Sequence, residues 1–583
     1  MKITGALLST CVVIAACAPR LPSPDEAQER ARIAGEAVRT APRRTPEWRC
    51  VAATPTVMPS PATRAERTGY CETTPYEEVM AFLDSVKAKA APNRIMRITR
   101  VGASPRGRPL MIVTACARTN RSADSCDALM TPARRQAVVM LQANIHAGEV
   151  EGKEAVLALL RTVVTDARPN LLDSLTLVVV PIYNADGNEA LGPQSRNRSA
   201  QLGPAVIGER PNGDGLDLNR DYIKAEAPET RALLPLLTNG SVDVFVDLHT
   251  TDGSYHGYNL TFAPSLDPGA PLALFTSDTL LAAVRRRLWR KGVKTYPYGN
   301  FSNSFAREVS IDAQKDGWFT YDSRPRFGTN YFGLTGGVAV LSEAFSHDPF
   351  AIRVASTYAF VHELLGSVGG DPTILARVNA ARRALAAGSA LRGVVLETQL
   401  TTRPFRDSVL VEDLEADRDS VGVEPGVPLG IRRTGRIRGQ WMPVFDRFEP
   451  TRQTSVPAGG WLVEARDTAV LALLARHGVT VRPIGTTRTL DVERFEVDSV
   501  DRLEHMFQGH REVKVLGRWL RVRMQSSADW RWVPPAQRQV LVAAQILEPQ
   551  SNDGATTWNL FDDRLSMAKF HPVMRVITRG GTR

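Results

Sequence analysis

A chain of 583 residues exceeds what one hydrophobic core organises and points to two or three domains. With 43% hydrophobic and 23% charged residues it reads as an ordinary globular protein, and after residue 20 no run is long and apolar enough to span a bilayer. The net charge of +10 comes from arginines scattered along the chain, not clustered with aromatic stacking residues. It argues against a nucleic-acid partner and fits an anionic envelope surface or acidic substrates.

The first residues, "MKITGALLSTCVVIAACAPR", carry a positive start, a short apolar segment and small residues before a cysteine, the layout of an export signal. The run Ile14-Ala15-Ala16-Cys17 resembles a bacterial lipobox. That resemblance implies a signal peptide over residues 1–17 and a lipid on Cys17 as the membrane anchor. Because Ala18 follows instead of Asp, the expected destination is the outer membrane of the cell envelope, on its periplasmic or surface side. Four further cysteines, Cys50, Cys71, Cys116 and Cys126, are an even set, and in an exported chain they are expected to form two disulfides. Three pairings are open, with sequence neighbours favoured. No Cys-x-x-Cys spacing recommends thiolate zinc. Residues 18–73, rich in Pro, Ala, Arg and Thr with little periodicity, read as a tether.

Order is expected from Thr74. In "TPYEEVMAFLDSV", Thr74 is a plausible N-cap, Pro75 stands at the first helical position and Glu77 follows three after the cap, with Val79, Phe82, Leu83 and Val86 on one face. "RIMRITRVG" and "LMIVTAC", separated by a Gly- and Pro-bearing turn, predict a hairpin. "AVVMLQAN" reads as a buried strand, and from Gly148 the apolar positions Val156, Leu159, Leu160, Val163 and Val164 switch to helical spacing. The alternation repeats through "LTLVVVPIYN", "APETRALLPLL", "VDVFVDLHTT" and "GVAVLSEAF". Continuous apolar strands alternating with helices predict an α/β fold, an α/β/α sandwich around a mixed, mostly parallel sheet, over residues 74–370. Residues 371–583 change texture to β-formers and short turns, and predict a smaller α+β or β-rich C-terminal accessory region with no clear chemical constellation.

The predicted strands end on polar residues: His146 and Glu149, then Asn184, Asp186 and Gly187, then Asp247 and His249, then Glu343. In open α/β sheets ligands bind beyond the carboxyl ends of strands, so residues distant in sequence can converge there. Two imidazoles and one carboxylate form a known ligand set for catalytic zinc, with a fourth position left for water. His146, Glu149 and His249 can supply it, although a lone His-x-x-Glu at a helix start also suits a capping pair.

The blocks "NIHAGEVEGKEA", "PIYNADGNE", "LDLNRDY", "VDLHTT" and "VAVLSEAF", in this order, resemble the zinc carboxypeptidase family of metallopeptidases, closest in texture to its bacterial exported branch. The resemblance covers residues 74–370. It implies one zinc ion held by His146, Glu149 and His249, with Glu343 as general base and acid. It further implies Asn219 and Arg220 as the anchor for the substrate's terminal carboxylate, a task that suits arginine's planar fork. Asp217 is either a partner orienting a zinc-bound imidazole or a turn cap. For the arginine that stabilises the tetrahedral intermediate, Arg196 and Arg198 are the candidates, and "RSAQLGP" favours Arg198. For the family's mobile tyrosine, Tyr321 has the better distance before Glu343 and Tyr331 the better-matching "TNYFGL", which favours Tyr331. Where digestive members carry arginine directly before the glutamate ligand, this chain has Gly148, so a substrate contact is expected to be missing. His256, His347 and His362 are expected to be structural or surface residues. The implied activity is hydrolysis of peptides bearing a free C-terminal carboxylate; the alternatives are an amidohydrolase on cell-wall peptides or acylated amino acids, and a non-catalytic envelope binding lipoprotein.

Overall fold

The computed structural model describes residue 50 and residues 57–118, 125–127, 134, 136–301, 317–388, 393–416, 431–485, 488–566 and 569–578. The expected signal peptide and Cys17 lie outside the described residues. Among those residues no helix is long and apolar enough to cross a membrane.

Strands β1 (Arg94–Ala103), β2 (Pro109–Ala117), β3 (Ala137–Ala143), β4 (Leu175–Val180), β5 (Val244–Thr250), β6 (Leu260–Pro264), β7 (Thr295–Pro297) and β8 (Val338–Ala344) form one eight-stranded sheet in the order β1-β2-β4-β3-β5-β8-β6-β7. The central β4, β3, β5 and β8 are parallel. β1 and β2 make the expected hairpin, and β6 runs antiparallel to β8. Parallel strands must be covered on both faces, which is why β3, β4, β5 and β8 are buried at every position.

Alternation along β3 divides the two faces. Val139 and Leu141 join a core with α1 (Tyr76–Ala88), α2 (Glu151–Thr165) and a long helix over Phe350–Gly369. Val138 and Met140 face the other way, against α3 (Pro228–Thr238) and α4 (Gly328–Leu334). This is the predicted sandwich, with one difference in how the second layer is made. The C-terminal region packs its own six-stranded sheet and the buried helix Val540–Leu547 into that same core, so Trp461, Val463, Val540 and Ile546 share a cluster with Phe245 and Phe332. Residue 370 marks a change of composition, and the hydrophobic core runs across it.

Two expectations at the front of the domain need correction. The tether expected through residue 73 is packed from Thr63 onward. Thr63 and Glu66 form a capping box on the short helix Arg64–Arg67, Ala65 and Glu66 are buried, and Arg161 of α2 binds Glu66 at 2.7 Å. One helical turn is too short to show periodicity, so composition alone concealed it. Thr74 does not cap α1, which starts at Tyr76; its N–H and hydroxyl both donate to Glu154 of α2, at 2.7 and 2.8 Å. The cysteines pair as sequence neighbours, Cys50 with Cys71 and Cys116 with Cys126.

Candidate active site

β3 ends at Ala143 and the chain turns through Asn144 and Ile145 to His146, then enters α2. Gly152 permits the helix to lie against β5, since a Cβ there would meet Leu248 Cβ at 2.8 Å. That close approach sets Glu149 beside the end of β5, where its Oε2 accepts the Thr250 N–H at 3.1 Å. His249 stands one residue earlier on β5 and is the register partner of Glu343 on the parallel neighbour β8, so both side chains leave the same face of the sheet.

The convergence is tight. His146 Nδ1 lies 3.0 Å from Glu149 Oε1 and His249 Nδ1 lies 3.0 Å from Glu149 Oε2. All three groups are buried, and their ligand atoms lie within 4.8 Å of one another. The far nitrogens are backed by carboxylates: His146 Nε2 sits 3.0 Å from Asp217 Oδ1, and His249 Nε2 makes an ion-pair contact with Asp247 Oδ2 at 3.1 Å that is bent away from hydrogen-bond geometry. Asp247 is itself oriented by Gln142 Nε2 at 2.9 Å. The carboxylate behind His146 sets its proton on Nε2 and leaves the Nδ1 lone pair for the shared centre, and Asp247 stands behind His249 at the corresponding place, the arrangement found at metal-binding histidines. Two imidazole nitrogens and one carboxylate suit zinc by chemistry as well as by spacing.

Charge around the centre is uneven. Burial opposes ionisation of Glu149, yet His146 and Arg198 together hold it well below the usual carboxylate range. Glu343 shows the opposite balance: burial, with repulsion from Glu149 and Asp252, pushes its carboxyl well above that range despite the pull of His249. Among the described residues the Glu343 carboxyl accepts no hydrogen bond, and it is 8% exposed.

The structure brings the site residues expected from sequence together unequally. Asn219 and Arg220 follow Asp217 on a short 3-10 turn over Leu218–Arg220. Asn219 Oδ1 accepts the Gly328 N–H at 3.0 Å, and the Arg220 guanidinium stacks 4.2 Å above the Phe327 ring, with Nη1 4.0 Å from Asp217 Oδ2. Asp217 fills both suggested roles at once, since its Oδ1 accepts the Asn219 N–H and also backs His146. Arg198 reaches the centre, 2.5 Å from Glu149 Oε1, but its other terminal nitrogen donates to the Thr250 and Thr251 carbonyls at 3.0 and 2.8 Å. Arg196 points elsewhere, to Glu209 at 2.8 Å.

Gly148 has a structural reason. A Cβ on it would lie 3.0 Å from Gly208 O and 3.1 Å from Arg198 Cδ, so the arginine stem occupies the space beside it.

Tyr331 is a correction. It is fully buried in α4, and its hydroxyl bonds His477 Nδ1 of the C-terminal region at 2.7 Å, which makes it part of the core. Tyr321 lies nearer the chemistry: its hydroxyl bonds Thr329 Oγ1 at 2.8 Å, and burial, with the charges of Glu343 and Asp247, raises its pKa. Sequence reasoning also missed Arg210. Its side chain is 37% exposed, its Nε donates to Asp217 Oδ2 at 2.9 Å and its Nη1 stands 3.7 Å from Glu149 Oε1. The only available signal was its place upstream of "LDLNRDY", which carries no spacing rule.

The sequence profile of the zinc carboxypeptidase family matches residues 79–332 and so takes in both histidines and Glu149. Over those residues the chain is similar to the zinc carboxypeptidases. Glu343 lies just beyond the matched stretch, on the strand adjacent to His249. Among curated relatives, carboxypeptidase 2 of Trichophyton rubrum is 21% identical over 187 residues, 32% of this chain and 30% of that protein. Carboxypeptidase 2 of Trichophyton tonsurans is 22% identical over 180 residues, 30% of this chain and 28% of its own. The chain thus spans about 30% of the length of the curated relatives it matches. Among solved structures, the metallo-carboxypeptidase of Burkholderia cenocepacia is 17% identical with a TM-score of 0.35, covering 50% of this chain and 70% of its own. Carboxypeptidase A of Helicoverpa armigera is 14% identical with a TM-score of 0.36, covering 59% and 81%.

Proposed function

We propose that the protein is a zinc-dependent carboxypeptidase that releases C-terminal amino acids from peptides. The observation that carries this reading is the registry of Glu343 with His249 on adjacent strands, which sets a carboxyl with no hydrogen-bond partner of its own beside a buried His-Glu-His centre. Bound zinc supplies Lewis acidity, polarising the scissile carbonyl and acidifying water. Glu343 takes a proton from water and passes it to the departing amine, work that suits a carboxyl whose pKa burial has raised. Arg220 and the Asn219 amide hold the terminal carboxylate; that amide's Nδ2 has no partner among the described residues, because only its oxygen is engaged.

The two arginines beside Glu149 divide the remaining work. Arg198, tied to Glu149 and two carbonyls, holds that carboxylate in position. Arg210, more exposed, offers the donor for negative charge developing on the substrate carbonyl. The export signal, the lipobox-like Cys17 and two disulfides support action in the cell envelope by a lipid-anchored protein.

A peptide-library digest with mass readout, comparing the protein with its Glu343→Gln variant, tests the proposal. Loss of single C-terminal residues is expected with the native protein and none with the variant. Cleavage only at internal bonds or at amide-blocked ends would replace the carboxypeptidase reading with an amidohydrolase one, and equal digestion by both proteins would remove Glu343 from the mechanism.

A further inference from the structure

Residues 503–512 of the C-terminal region form a tight hairpin, in which the Leu503 N–H donates to Glu512 O at 3.0 Å and Phe507 and His510 exchange backbone hydrogen bonds at 2.7 and 2.9 Å. Three anchors fix it to the catalytic half. Glu512 pairs with the buried Arg326 at 2.8 Å, His510 Nε2 meets Glu226 at 2.9 Å, and the same Arg326 stacks 5.4 Å from the Phe507 ring. Arg326 immediately precedes Phe327 and Gly328, the residues against which Arg220 and Asn219 rest.

At the tip, Gln508 adopts φ 50°, a left-handed conformation that non-glycine residues avoid and that persists where the surroundings over-determine it. Its Oε1 accepts the N–H of Asp217 at 2.9 Å, across 291 residues of sequence. Asp217 backs His146, and its carboxylate stands 4.0 Å from Arg220 Nη1. The Gln508 amide nitrogen has no partner among the described residues.

We propose that Gln508 is a specificity-determining residue of the substrate-carboxylate pocket, its hairpin closing the corner occupied by Asn219 and Arg220 and its amide N–H₂ facing the terminal carboxylate. The proposal deepens the carboxypeptidase reading and rests on it. It assigns the C-terminal region a direct part in recognising a free peptide end.

Zinc-loaded full-length protein is titrated calorimetrically with N-acetylated alanine, phenylalanine and lysine, and separately with their primary amides. Gln508→Glu keeps the acceptor for the Asp217 N–H while adding a negative charge, and Gln508→Lys adds a positive one. A charge this close to a bound carboxylate changes affinity on the order of fivefold to tenfold. The acids are therefore expected to bind more weakly to Gln508→Glu and more tightly to Gln508→Lys, with the amides indifferent to both. Wild-type affinities for the acids in both variants would overturn the role of Gln508 and leave the carboxypeptidase reading standing. A native protein that binds the amides as well as the acids would overturn that reading, and this inference with it.

Discussion

Replacing Asp217 by alanine removes three contacts at once: the acceptor behind His146 Nε2 at 3.0 Å, the partner of Arg210 Nε at 2.9 Å and the acceptor for the Asn219 N–H at 2.9 Å. The first bears on the metal. Losing a carboxylate behind a ligating imidazole weakens metal binding or activity by about 10- to 100-fold, equivalent to about 1.4–2.7 kcal/mol. The other two bear on the turn that carries Asn219 and Arg220, where a donor left unsatisfied costs about 1–3 kcal/mol. Competition with a chromophoric chelator measures zinc affinity, and thermal melting of the zinc-loaded protein separates the turn's contribution. The expected result for Asp217→Ala is a zinc Kd raised into that range together with a lowered Tm. Asp217→Asn, which keeps one of the two side-chain oxygens as an acceptor, falls between. An alanine variant that keeps its zinc affinity within twofold would refute the orienting role assigned to Asp217.

Arg210→Ala should lower kcat/KM by about 10²- to 10³-fold while zinc content stays at one per chain, whereas Arg198→Ala should show its main effect in zinc retention during dialysis; the reverse pattern would return Arg198 to the oxyanion role. Stripping zinc by chelation should abolish cleavage and lower Tm, since zinc at 1,000 times its Kd stabilises by about 4 kcal/mol; an unchanged melt would mean that the His146, Glu149 and His249 cluster does not hold the metal. Asp267 is 3% exposed, and burial, helped by the charge of Asp553, raises its pKa to about 7. A raised carboxyl contributes stability fully below its unfolded value of 3.8 and loses it as pH rises through about 7. Asp267→Asn, which keeps the acceptor for the Gly269 N–H, should therefore melt higher than the native protein at pH 8 and equal it near pH 4; a pH-independent difference would contradict the assignment.

The zinc centre was legible in the sequence because its residues stand at or just past the ends of mostly apolar runs, and a parallel sheet gathers strand ends without further instruction. His146, Glu149, His249 and Glu343 all stand where that logic puts them. The arginines were not, because Arg198 and Arg210 sit on irregular backbone between β4 and α3, where no period says which side chain turns inward. Tyr331 misled for a related reason: "TNYFGL" is a helical turn packed under the sheet, and a family-like string says nothing about which way its ring faces. Glu151, Lys153 and Glu154 of α2 are buried, with partners in Arg353, Asn188 and Thr74 that come from distant segments, so no local pattern announces them. The C-terminal region hid most completely. Its contribution to the core and to the substrate turn depends on contacts such as Tyr331 with His477 and Asp217 with Gln508, which no local pattern announces.

That shared core changes what it means to cut this chain. Because the strands and the helix of the second half fill the same apolar interior as β3 and β5, a protease nick in an exposed loop between the halves would release nothing. The two fragments would stay together as a non-covalent pair, running as one particle in gel filtration and separating only when the interior itself comes apart.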